Sequence, residues 1–228
     1  MALAATFRIV ALAFSAPRPG LAAVQRAALF RLAVGDLDAS LRRVVTVARM
    51  SWLGASPGAL ADDYMRLFMG RASVSLHETA YGDGRRVNGR PVELADIGGY
   101  YAAFGVELRE ANPDLPDHIS AECEFISMLL VKEAYALGHG WGVQWRTTRQ
   151  ALGGFLRDHL GRWPHCLLPS LREEDASPPY RDMTRLLVAL VASECRRHGV
   201  RPERADARMP FDPVQEDEFV CPRAEPPQ

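Results

Sequence analysis

Lysine is nearly missing from this 228-residue chain: Lys132 stands alone among 27 basic residues. The others are arginines, a bias of composition that carries no function by itself. Net charge is equally scarce, at −1 with histidines neutral, which argues against a nucleic-acid binder that relies on bulk attraction to phosphate. The four cysteines, at 123, 166, 195 and 221, lie far apart with no CxxC pair, so neither a zinc ribbon nor a redox dithiol is suggested. Cys123 and Cys195 fall on helix faces predicted to be buried, and free thiols in a core fit a reducing compartment better than a disulfide scaffold. No segment approaches the roughly 18 to 20 uninterrupted apolar residues of a membrane span. Also missing are an internal repeat and any alternating strand pattern closed by a hairpin turn. The glycine run at 138–142, GHGWG, follows a helix where phosphate-binding glycine motifs follow a strand, and it lacks their Gly-Lys-Ser/Thr ending. It reads as a helix terminator and hinge.

What the chain does have is helical periodicity. With 48% hydrophobic and 24% charged residues, its composition is that of a soluble globular protein long enough to bury a substantial core. The opening MALAATFRIVALAFSA lacks the basic start of a secretory signal and is interrupted by Arg8. Leu3, Phe7, Val10 and Phe14 make a helical stripe there, the expected first helix of the mature fold. Leu21, Val24, Ala28 and Leu32 predict a second helical face. Asp36 or Asp38 caps a third helix lined by Leu37, Leu41, Val44, Val45 and Ala48, and a fourth runs through Tyr64, Leu67 and Phe68. Residues 70–91 read as one long loop with turn signals at Gly82-Asp83-Gly84 and Asn88-Gly89. Loops of that length inside a compact domain tend to carry function, and its His77, Glu78 and Tyr81 suggest packing over a groove. Further helical registers are Leu94, Ile97, Tyr101, Phe104; Thr148, Leu152, Phe155, Leu156, His159; and Met183, Leu186, Leu187, Leu190, Val191, Glu194. The expected fold is all-α, a single globular domain of about nine helices over residues 1–200. Residues 201–228 are rich in proline and poor in apolar side chains, which predicts a tail that is mobile or draped on the surface.

The stretch 112–130, NPDLPDHISAECEFISMLL, is where these pieces converge. Pro113 and Pro116 restrict the backbone before a helix that begins just after Pro116. Asp117 is the predicted N-cap, its carboxylate accepting from the Ser120 N–H at the positive end of the helix dipole. Ile119, Cys123, Ile126, Leu130, Ala134 and Leu137 mark the buried face, and His118 and Glu122, four apart, share a face of the first turn. An Asp cap followed by a solvent-facing His and Glu is common in ordinary helices. The other reading is a polar recognition site built on the exposed helix end.

These residues resemble a known family. YYAAFG followed by PDLPDHISAECEFISML is similar to the signature of the TorD/DmsD/NarJ-type chaperones of molybdoenzyme maturation, in which an aromatic-containing helix leads to a Pro-Asp-His turn and a helix bearing Glu and then Phe. Here those are Pro116, Asp117, His118, Glu122 and Phe125. DDYMRLFMG at 62–70 resembles the family's Tyr-x-x-Leu-Phe helix end, and HETAYGDGR at 77–85 resembles its Pro-aromatic-Glu-Ser-x-Tyr segment, with His77 departing from the usual Pro or aromatic. The likeness extends loosely to about residue 198 and includes HLGRW at 159–163. It implies a cytoplasmic, all-helical chaperone and not an enzyme, working as a monomer or homodimer with no cofactor of its own. It also implies a dedicated partner, the catalytic subunit of a DMSO-reductase-type, molybdopterin-dependent oxidoreductase, bound through its N-terminal leader, often of twin-arginine type, before cofactor insertion and export. No nucleic acid or membrane insertion is expected. An arginine-bearing leader needs carboxylates beside an apolar trough. Glu78, Asp117 and Glu122 are the candidates for the charge, Tyr64, Leu67, Phe68 and Tyr81 for the walls, Pro116 for fixing the turn, and His118 for hydrogen-bonding a peptide carbonyl or orienting Asp117.

The competing class is a metal-dependent helical enzyme. In it His118 and Glu122 ligate a metal and His77 or His139 completes the shell. No second ligand pair with metal-like spacing occurs, and a lone His-x-x-x-Glu arises often by chance.

Overall fold

Twelve residues that are apolar on almost every side, Ala2–Ala13 (α1), have one stable place in a folded chain, its centre. Phe7, Val10 and Phe14 are fully buried, as their stripe predicts, but so are Ile9, Ala11 and Ala13 on other sides. The computed structural model describes residues 1–69, 74–82, 89–107 and 116–206. Around α1 it places α2 (Leu21–Arg31), α3 (Ala39–Gly54), α4 (Pro57–Phe68), α5 (Gly89–Ala103), α6 (Ile119–Gly138), α7 (Gly142–Phe155), α8 (Leu167–Glu173) and α9 (Pro178–His198). Among the described residues the fold is therefore all-α, with eight helices of eleven residues or more and the seven-residue α8. No described helix is long and apolar enough to cross a membrane.

The long helices α6 and α9 pack on α1, and α3 closes on α9 from the other side. Polar groups inside this contact are satisfied locally. The Ser127 hydroxyl of α6 donates to Ala4 O at 2.8 Å, the Thr6 hydroxyl to Ala2 O at 2.8 Å, and the Gln25 amide to Leu12 O at 2.7 Å. The last bond explains a difference from the expected face of α2. Leu21, Gln25 and Leu29 are buried while Val24 is 53% exposed, because turning Gln25 inward satisfies a carbonyl at the carboxyl end of α1.

Asp38, one of the two expected caps of α3, takes that role, accepting from Leu41 N at 2.9 Å. The registers of α7 and α9 appear as predicted, with Thr148, Leu152, Phe155, Leu156 and His159 buried on one and Met183 through Glu194 on the other. The inner face of α6 departs from its expected line. Ala134 is exposed and Leu137 is 67% exposed, and the buried line runs through Leu129, Leu130, Glu133 and Ala136. Arg149 of α7 and Arg197 of α9 draw Glu133 inward, at 3.0 Å and 2.8 Å. The glycine run ends α6 as expected, with Gly140 in the left-handed region at φ +68°.

The long loop is shorter at its far end than expected, since α5 already begins at Gly89. Its middle, 74–82, is ordered around a 3-10 turn, Glu78–Ala80. Pro113, Asp83, Gly84, Asn88 and residues 207–228 of the tail lie outside the described residues.

Candidate functional site

The loop and the start of α6 are stitched together by backbone. Ile119 N donates to Leu76 O at 2.9 Å and Glu78 N to Asp117 O at 3.0 Å, which leaves His77 and His118 as an isolated antiparallel bridge pair. Their rings meet edge to face at 5.0 Å. Tyr101 of α5 adds a third tie, its hydroxyl donating to Pro116 O at 2.8 Å.

The cap of α6 is His118, not Asp117. Ser120 N donates to His118 Nδ1 at 3.2 Å, and the Ser120 hydroxyl lies 2.6 Å from the same nitrogen. Asp117 instead turns towards the loop. One carboxylate oxygen accepts from Thr79 N at 3.2 Å and the Thr79 hydroxyl at 2.6 Å, and the other lies 3.0 Å from His77 Nδ1. Backbone pairing with the loop faces Asp117 across the bridge, so its short side chain reaches the amino end of the 3-10 turn better than the first turn of its own helix. Burial pushes the Asp117 carboxyl up, but the hydrogen bonds from His77 and Thr79 outweigh it and hold the group below its ordinary range.

Glu78 and Glu122 complete a buried acidic floor. Glu78 Oε2 lies 3.2 Å from His159 Nδ1, whose Nε2 lies 3.1 Å from Asp96 on the outer side of α5. Glu122 Oε2 accepts from Trp163 Nε1 at 3.3 Å. Each glutamate keeps one oxygen, Oε1, buried with no hydrogen-bond partner. Burial raises the pKa of both, and the charge of Glu78 pushes Glu122 up further, so Glu122 is the member whose protonated form this floor favours. Burial lowers the His159 pKa, but its bonds to Glu78 and Asp96 raise it overall, which favours the charged imidazolium between the two acids.

The nine residues singled out by sequence therefore fall into two sets. Glu78, Tyr81, Pro116, Asp117, His118 and Glu122 meet at the junction. Tyr81 there stacks on Trp163 at 5.4 Å and donates to Ser75 O at 2.7 Å. Tyr64, Leu67 and Phe68 lie on α4. Tyr64 and Leu67 are buried, and partly buried Phe68 packs against Tyr64, Phe14 and Tyr180 with centroids 5.1, 6.0 and 5.3 Å away. The exposed helix end imagined from the sequence is not there. Asp117 and Glu122 have no exposed surface, and Glu78 and His118 keep 2% and 3%. The surface edge of the junction is carried by the side chains of His77, 34% exposed, and Asp96, 62% exposed.

Thr79, Tyr101, His159 and Trp163 hold this arrangement. All four lie in segments of the family likeness, YYAAFG, HETAYGDGR and HLGRW, and Tyr101 and His159 also fall in helical registers, but none was singled out as a site residue. The metal reading finds no support in the geometry: His118 Nδ1 is engaged with Ser120 and Glu122 Oε2 with Trp163. No group of three or more His, Cys, Asp or Glu among the described residues is placed to hold a metal.

Residues 31–167 match the family model described as nitrate reductase delta subunit. The chain is similar to a chlorate reductase assembly chaperone protein of Ideonella dechloratans, 30% identical over 64% of this chain and 74% of that one. It is also similar to a selenate reductase assembly chaperone protein of Thauera selenatis, 34% identical over 50% of this chain and 55% of that one. Neither relative is named as a catalyst.

Proposed function

Because the chain belongs to the nitrate reductase delta subunit family, the NarJ/TorD-type chaperones of molybdoenzyme maturation, we propose that it is the dedicated cytoplasmic assembly chaperone of one molybdopterin-dependent oxidoreductase. It binds the N-terminal leader and the apo form of that enzyme's catalytic subunit and keeps them competent until the cofactor is inserted. The observation that carries this reading is the span of the family match, 31–167, which takes in all nine candidate residues on α4, the loop and α6.

In this reading the residues have different duties. Asp117, His118, Glu78 and Glu122 work from beneath, fixing loop 74–82 against α6, and a client reads the edge they hold in place. Asp96 and His77 form the polar edge, suited to an arginine of the leader, and Phe68 the apolar contact. The first test is co-purification from the native cell, which recovers a large molybdoenzyme subunit. A stoichiometric metal in place of such a subunit overturns the chaperone reading. Titration with the client's leader peptide locates the site. Phe68→Ala and Asp96→Asn each weaken binding about five- to tenfold, the effect of losing one apolar anchor or one partly exposed ion pair, with the helical circular-dichroism signal unchanged. Unaltered binding by both places the leader elsewhere.

A further inference from the structure

The turn from α6 into α7 holds its side chains out into water. Every residue of 137–144, LGHGWGVQ, is exposed, although Leu137, Trp141 and Val143 are large and apolar. Tyr135, one turn before His139, adds an exposed ring. The apex is nevertheless ordered. The rings of Tyr135, His139 and Trp141 pack on one another, with centroids 4.0 Å apart for Tyr135 and His139, 5.6 Å for Tyr135 and Trp141 and 5.2 Å for His139 and Trp141. Trp141 N donates to Ala136 O at 2.9 Å and His139 Nδ1 lies 2.8 Å from Tyr135 O. An ordered, contiguous apolar patch with no cover among the described residues marks an interaction surface.

The charge around it has one sign. From 134 to 156 the chain carries no carboxylate. Exposed Arg146 lays its guanidinium against the apex, where a Cβ on Gly142 would sit 3.6 Å from Nη1, and Lys132 is exposed near the end of α6. The end of α9 is fastened here through Arg197 and Glu133. Over 131–150 and 192–201 six basic residues stand against Glu133 and Glu194, and both glutamates are buried and bonded to Arg197. Asp38 lies near Arg196, and exposed Glu124 stands about 12 Å back along α6 from Lys132. Counting both leaves six against four, with neither on the apex itself.

A second copy of the chain would set like charges against each other, and a nucleic acid gains nothing from Leu137 and Val143. A phospholipid surface uses both features. Trp and Tyr rings settle at headgroup level, aliphatic side chains reach the acyl boundary, and basic groups meet the phosphates. We propose that the α6–α7 apex is a peripheral contact with an anionic phospholipid surface. Leu137, Trp141 and Val143 enter the boundary, Tyr135 and His139 brace Trp141, and Arg146 and Lys132 face the phosphates. The chain then lies on the bilayer without crossing it, and the junction, about 30 Å away at the other end of α6, stays free for a client.

Flotation of the full-length protein with phospholipid vesicles tests this. Vesicles of mixed phosphatidylcholine and phosphatidylglycerol should carry the protein, and pure phosphatidylcholine at least about fivefold less, the contribution of one basic residue beside an anionic surface. On the mixed vesicles Trp141→Ala lowers the partition coefficient about tenfold, the loss of one large apolar side chain, and Arg146→Gln about fivefold. Both positions are exposed, so the thermal midpoints stay within about 2 °C of wild type. No flotation with the mixed vesicles, equal flotation with pure phosphatidylcholine, or undiminished partition of both variants overturns the proposal. So does a dimer in sedimentation velocity that Trp141→Ala dissociates, which assigns the face to a second copy.

Discussion

At the residue scale, Asp117 and Glu122 are both carboxylates without exposed surface, yet their surroundings set them apart. Asp117 is bonded on both oxygens and held ionised, whereas Glu122 has one indole donor and a second acidic group nearby and is pushed towards its neutral form. Asp117→Ala strands the Thr79 N–H and hydroxyl in a buried place, which should cost about 2 to 4 kcal/mol; urea unfolding measures it, and a change under ~0.5 kcal/mol would show that the loop is held some other way. The pH response of Glu122 has a definite sign. Its folded pKa lies above its unfolded one, so its contribution is complete below about 4.5 and is lost as pH rises through the folded pKa. Against Glu122→Gln, which does not titrate, the stability advantage of the wild-type chain should therefore shrink as pH rises above about 4.5. A constant or growing advantage would contradict this assignment. Sequence placed these two side chains five residues apart at the start of one helix, but it could not tell a presented carboxylate from a buried one. That difference is made by Thr79 and Trp163, which approach from distant parts of the chain.

At the element scale, α7 continues into a wide turn, Leu156–Leu160, that carries His159 to Glu78 and sets up Trp163 for Glu122. The turn closes on Gly161, where a Cβ would sit 1.9 Å from Leu156 O and 2.4 Å from Pro202 Cγ. Gly161→Ala should therefore destabilise the protein by about 3 kcal/mol or more, since a backbone carbonyl cannot move aside as a flexible side chain can. The expected readout is a large drop in thermal midpoint. A midpoint within a degree of wild type would show that the turn relaxes freely. The existence of α7 was legible from its periodic apolar residues. The close approach at Gly161 was not, because it involves a carbonyl five residues earlier and a proline some forty residues later.

At the scale of the whole molecule, α6, α7 and α9 are fastened at one end by Glu133, Arg149, Arg197 and Glu194, with Arg197 bonded to both glutamates. His198 sits beside this network. Burial and the neighbouring charges of Arg197 and Arg149 lower its pKa to about 4. Its contribution to stability is present above about 6.5 and is lost as pH falls towards 4. Chemical denaturation of His198→Asn should therefore show a shallower loss of stability than wild type between pH 6.5 and 4; parallel curves would remove His198 as the cause. By itself the sequence determined the fold class, the order and approximate limits of the helices and the apolar stripes of α7 and α9, because these follow from local propensity and a period of 3.6 residues. Its motifs also pointed to the family. Only the tertiary structure decided that His118 and not Asp117 caps α6, that Val24 and Leu137 face outward, and that the acidic residues of the junction lie beneath its surface. Each of those outcomes depends on a partner distant in sequence: Leu76 and Thr79 across the bridge, Leu12 O for Gln25, Arg149 and Arg197 for Glu133, and His159 and Trp163 for the two glutamates. Helical periodicity reports which face of an element is apolar, but the satisfaction of buried polar groups is settled between elements, and only when the chain is packed.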